Sequence, residues 1–197
     1  MGIMDELGLS WDVEPESWSE ADGVLGVYAA GQTDIFASPF GDVVKGSAAR
    51  ALTGAAGAQW QLAARVRVGF GGDWDAGGLL VWSDAGCWAK LTYEQGTDGR
   101  PAVFSVVTRD GRSDDAVGWP LGGDGLWLRI SALDGGYAFH AGADGQTWQL
   151  VRQFALGETG PVRVGLVAQS PVGTGCAVHF DQVTLAPTRL AHLFDGR

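Results

Sequence analysis

Lysine is nearly absent from this chain. Of its 13 basic residues only Lys45 and Lys90 are lysines, against 23 acidic residues and a formal net charge of −10. An acidic surface with no basic cluster repels phosphate backbones and anionic lipid, which argues against nucleic-acid and membrane partners. Cysteine is equally scarce. Cys87 and Cys176 form no metal-binding spacing and both fall in expected strands, so two reduced, buried thiols are predicted. The N-terminus carries no basic and apolar leader, and no apolar run reaches membrane-spanning length. A soluble cytoplasmic protein is the expectation. No amphipathic helix of useful length can be traced. Glycine is what abounds, with 32 of 197 residues spread between short apolar runs. That composition suits many tight turns.

The stretch from Trp74 to Glu94 reads as a β-hairpin. Gly78 to Trp82 is one arm, Ser83 to Gly86 the turn, and Trp88 to Glu94 the other arm. The second arm alternates. Ala89, Leu91 and Tyr93 point one way, while Trp88, Lys90, Thr92 and Glu94 point the other. A face with an indole, an ammonium, a hydroxyl and a carboxylate suits a polar, flat-sided ligand such as a sugar. It also suits a solvated sheet face on which Lys90 and Glu94 each pair with an acid or an arginine on the adjacent strand, such as Asp75 or Arg129.

The rest of the chain repeats short strands with turn signals about every ten residues. Trp60 to Phe70 is the longest alternating run. Residues 33 to 53 break the pattern at Pro39 and Gly41, RDGRSDD from 109 to 115 reads as an acidic turn, and Pro187 to Arg197 reads as a tail. The architecture expected is all-β: a jelly-roll β-sandwich of two antiparallel sheets, in a single domain over 1–197 with its core at about 7–186. Leu79, Val81, Leu91, Tyr93, Val66, Leu128, Val164, Leu166 and Phe180 are predicted to lie between the sheets.

Several islands stand in order along the chain: Thr33-Asp34-Ile35-Phe36, then Trp74-Asp75-Ala76-Gly77-Gly78-Leu79-Leu80, then Trp88, Lys90 and Glu94 as Trp-x-Lys-x-x-x-Glu, then Val106-Val107-Thr108 and Ser113-Asp114, and last Gln169-Ser170-Pro171 and Phe180-Asp181. Together they resemble a bacterial and fungal family named for regulation of enolase, within the concanavalin A-like lectin and glucanase superfamily. That family reads aromatic-Asp-Gln-Ala-Gly-Leu-Met where Ala76 replaces Gln here, and Ser-Asp-Trp where Asp115 replaces Trp; its Val-Val-Thr and Trp-x-Lys-x-x-x-Glu are met in full. The resemblance implies a twisted jelly roll with a concave ligand face and no settled activity.

For catalysis the residues offer little. Glycoside hydrolysis needs two carboxyl groups, one of raised pKa. Glu94 is the one acid inside a clearly alternating strand, and Lys90 beside it is expected to keep it ionised. His140, His179 and His192 lie in no motif. No cofactor is implied, and the acid run at 113 to 115 is at most a weak calcium candidate. Among the tryptophans, Trp74, Trp82, Trp88, Trp119 and Trp127 are stacking candidates, with Trp88 foremost for its polar strand-mates. The reading is a non-catalytic ligand-binding module, for carbohydrate or a small polar ligand, with Trp88, Lys90, Glu94, Asp75, Trp74, Thr108, Ser113, Asp114 and Arg129 as candidate site residues. The alternatives are a regulatory domain that binds a protein partner on the same face and, third, a hydrolase acting on glycans.

Overall fold

Sixteen strands and one single-turn helix account for the regular structure among the described residues of the computed structural model, which are 2–55, 57–120, 123–158 and 160–197. Numbered in chain order, the first sheet runs β1 (Ser10–Val13), β6 (Ala49–Gly54), β15 (Arg163–Gln169), β8 (Ala76–Asp84), β9 (Cys87–Gln95), β10 (Pro101–Arg109), β11 (Arg112–Pro120). The second runs β14 (Gln149–Phe154), β13 (Gly136–Gly142), β12 (Leu126–Leu133), β7 (Gln61–Gly69), β16 (Gly175–Ala186), β3 (Val24–Ala30), β2 (Ser17–Ala21). Every pairing within the two sheets is antiparallel. A third, two-stranded piece, β4 (Ile35–Ala37) with β5 (Val44–Gly46), lies on the first sheet.

The alternation explains the sandwich. Leu79 pairs with Leu91 and Leu166, so one face of three neighbouring strands is continuous Leu and Val. All nine residues expected between the sheets are buried in one apolar cluster. Close approach of the sheets requires glycine at position 77. A Cβ there would stand 2.3 Å from Val178 Cγ1 on the opposite sheet.

The core exceeds its expected bounds. Ile3 and Met4 of α1 (Ile3–Glu6) join it. The segment from 187 to 197 is packed rather than loose: Leu190 is buried, and the carbonyls of Leu193 and Gly196 meet His140 and Arg129 on the outer face of the second sheet. The acidic turn at 109 to 115 is shorter than expected, because Arg112 already begins β11. Residues 33 to 53, where the pattern breaks, hold β4, β5 and most of β6. Strands of three residues are too short to show a period.

Candidate functional site

The outer face of the first sheet is divided in two by the β4–β5 hairpin. On one side the hairpin closes a second apolar cluster, in which Ile35 and Ala48 pack on Leu52, Leu80, Trp82, Trp88, Val106 and Val167. Trp88 is 1 % exposed there, so its ring is unavailable for stacking on a ligand. Its polar strand-mates suggested an open face. The hairpin that covers it comes from more than forty residues away, and strand alternation cannot report that.

Lys90 is the pin that holds the hairpin down. It is 3 % exposed, and its Nζ donates to Ile35 O at 2.9 Å and to Gln169 Oε1 at 2.8 Å, with Asp34 Oδ1 at 3.7 Å. Neither Arg129 nor Asp75 is its partner. Burying an ammonium is costly unless its donors are used, and here they are spent on the protein itself. The same hairpin is tied on by Ser113 Oγ, which accepts from Ala37 N at 3.0 Å, and by Arg112, whose guanidinium donates to Pro39 O at 2.7 Å.

On the other side of the hairpin a cleft of about 290 Å3 remains open. Its floor is Lys90 and Glu94 of β9, Val106 of β10, Asp115 of β11 and Gln169 of β15. Its walls are Asp34, Phe36 and Lys45 from the hairpin, Trp74 from the loop before β8, and Pro171 and Val172 from the loop after β15. Register places Lys90, Val106 and Asp115 in one row across three strands.

Trp74 is held with unusual firmness. Its φ of 68° lies in the left-handed region, which a large side chain adopts at a cost. The main chain is clamped on both sides: Trp74 N donates to Gln95 O at 2.8 Å, and Gln169 Nε2 donates to Trp74 O at 3.3 Å. The indole meets Phe104 edge to face, centroids 5.9 Å apart at 85°. The result is a fixed, partly exposed aromatic wall.

Glu94 is 6 % exposed, and its Oε2 accepts from Thr92 Oγ1 at 2.9 Å. Burial pushes its pKa up to about 7, outweighing the downward pull of Lys90 and of the Thr92 hydroxyl. This corrects the expectation that Lys90 keeps Glu94 ionised: desolvation outweighs the ammonium, whose hydrogen bonds go to Ile35 O and Gln169 Oε1 rather than to the carboxyl. Asp115 is exposed on the edge strand, and partial desolvation of its carboxyl beside the cleft raises its pKa as well.

The remaining expected site residues lie elsewhere. Thr108 and Ser113 share a buried hydroxyl pair at 2.8 Å under the hairpin. Asp114 points to the opposite side of β11 from Asp115 and pairs with Arg152 at 2.7 Å, so the acid run splits between two faces and assembles no calcium loop. Asp75 is buried beneath the loop it organises, with Oδ2 accepting from Gly71 N and Gly72 N, both at 2.9 Å. Arg129 belongs to the second sheet, stacked 4.2 Å over Trp148 and covered by the C-terminal segment. His140 is buried beside it, on the same outer face. Asp34, Phe36, Lys45, Asp115, Gln169, Pro171 and Val172 were not singled out as site residues, yet they line the cleft. The Thr-Asp-Ile-Phe and Gln-Ser-Pro islands already marked four of them.

Among the described residues no three His, Cys, Asp or Glu side chains converge as a metal site would require, and no helix is long and apolar enough to cross a membrane. Cys87 and Cys176 are free thiols, and burial raises the pKa of both, that of Cys176 to about 12.

Comparison with known proteins bears on this architecture. Residues 11–188 match the profile of a family described as a protein of unknown function, DUF1349. The chain is 27 % identical over 178 residues to regulation of enolase protein 1 of Saccharomyces cerevisiae, covering 89 % of this chain and 88 % of that one. It superimposes on the crystal structure of a functionally unknown protein from Saccharomyces cerevisiae with a TM-score of 0.80 and 25 % identity, over 91 % of this chain and 96 % of that one. It shares its fold with the carbohydrate-binding module CBM66 of Bacillus subtilis, TM-score 0.58 and 16 % identity, over 94 % and 98 % of the two chains.

Proposed function

The chain belongs to the DUF1349 family, and from its cleft we propose that it is a non-catalytic binding module for carbohydrate. The observation that carries this reading is the pairing of a rigid aromatic wall, Trp74, with a floor that holds the carboxyl groups of Glu94 and Asp115. An indole offers an apolar face to the C–H side of a sugar ring, and carboxyl oxygens accept from its hydroxyls. Lys90 does not hold the ligand in this account. It holds the hairpin that shapes the cleft. With three acids at the cleft against two lysines, one of them inward-facing, the site favours an uncharged, donor-rich ligand over a sugar phosphate or uronic acid. The carbohydrate-binding module of the same fold supports the reading by analogy. Two unpaired thiols suit a reducing compartment such as the cytoplasm.

A glycan array probed with the purified protein tests this. Binding to neutral glycans, lost in Trp74→Ala, is expected. A blank array would remove the reading. A second reading, docking of a protein partner, is favoured by one observation: the tip of the β4–β5 hairpin exposes Phe40 (89 %), Val43 and Val44 beside the cleft. Phe40→Ser separates the two, because it leaves glycan binding unchanged if the cleft alone is the site.

A further inference from the structure

Trp74 is a wall of two hollows. Beyond the cleft, a shelf of about 330 Å3 lies toward the free edge of the first sheet, and Trp74 lines both. The shelf's floor is Ala102 and Phe104 of β10 with Val117 and Pro120 of β11. The polar groups of the shelf include Thr97 and the Asp98–Arg100 ion pair, whose closest atoms are 2.8 Å apart. The sheet register relates the two hollows. Val106 and Asp115 form the row in the cleft, and Phe104 and Val117 form the next row on the same face. Successive rows on one face lie about 7 Å apart along a strand. Val117 is 66 % exposed on an edge strand, a large apolar side chain left in water with no other part of the described chain over it.

We infer that the shelf is a second sugar subsite, continuous with the cleft through Trp74, and that the module binds the end of an oligosaccharide rather than a lone monosaccharide. This rests on the carbohydrate reading of the cleft. The end ring sits in the cleft, which the hairpin closes on its far side. The next ring lies on Val117 beside the Trp74 indole, above the buried Phe104, its hydroxyls reaching the Thr97 and Asp98–Arg100 rim. The chain leaves over the open edge at β11. Two hollows of similar size, an apolar floor with a polar rim, and one shared indole are what a two-ring ligand needs.

The test is calorimetric titration of the full chain with xylose, xylobiose and xylotriose, and with glucose, cellobiose and cellotriose. In the series that binds, the disaccharide is expected to bind about tenfold more tightly than the monosaccharide, which is what covering about 55 Å2 of apolar surface is worth. The trisaccharide is expected to add little. Val117→Asp, an exposed change on an edge strand, is expected to bring the disaccharide down to the monosaccharide's affinity and leave the monosaccharide unaffected. Equal affinities for one and two rings, with Val117→Asp silent, would overturn the second subsite and leave the cleft as a one-ring site. Failure of every saccharide, here and on the array, would instead overturn the carbohydrate reading and this inference with it.

Discussion

Glu94→Gln is expected to abolish a pH dependence of stability that the native chain carries. Glu94 has an ordinary pKa of 4.5 and is pushed up to about 7 by burial. Between those values the folded chain keeps a proton that the unfolded chain has released. Stability therefore falls as pH rises from about 4.5 through about 7, and levels off above. The separation is equivalent to about 3 kcal/mol when the whole shift is expressed. Glutamine keeps the volume and an oxygen for the Thr92 hydroxyl, and it cannot ionise. The variant should match the native chain near pH 4, and exceed it by up to about 3 kcal/mol at pH 8. Urea denaturation of both proteins at half-unit steps from pH 4 to 8 reads the difference directly. Asp115 and the other titrating groups are present in both chains and largely cancel in that difference. A gap that stays constant across the range would mean that Glu94 does not titrate there in the folded state.

Other outcomes follow from the same geometry. Lys90→Met leaves Ile35 O and Asp34 without their buried cation, and removing one partner of such a set costs about 3–5 kcal/mol; thermal melting checks it, and an unchanged melting temperature would mean the hairpin is held by its other ties alone. Leu91→Ala, at the centre of the main core, should cost about 2–5 kcal/mol, and a change within about 0.5 kcal/mol would mean the side chain is not where the register puts it.

The fold was legible because its signals are local. The alternation of Trp88 to Glu94 gave the correct split of faces, and Leu91 and Tyr93 lie in the main core as it required. The cleft was legible in part: Trp74, Lys90 and Glu94 were singled out and do line it. Alternation says which side chains share a face, and nothing about what comes to lie over that face. The β4–β5 hairpin decides that Trp88 is buried, that Lys90 is a structural pin and that Glu94 is desolvated. Its two three-residue strands, broken by Pro39 and Gly41, carry no period to read. Asp115 was passed over for Asp114 because the run was taken as a turn, where the parity of side chains has no meaning; once β11 begins at Arg112, parity turns Asp115 to the cleft and Asp114 away. Arg129 was misplaced for a different reason. A strand's alternation does not tell which of two sheets it joins.

The cleft beside Trp74 is proposed as a carbohydrate site. Titration of the best glycan from an array into the native chain and into Trp74→Ala tests it most directly, with far-ultraviolet circular dichroism confirming that the variant keeps its β-sheet. Saturable binding to the native chain is expected, with at least a tenfold loss in the variant, because an aromatic platform worth about 1.4 kcal/mol or more is removed. Undiminished binding by Trp74→Ala would contradict it.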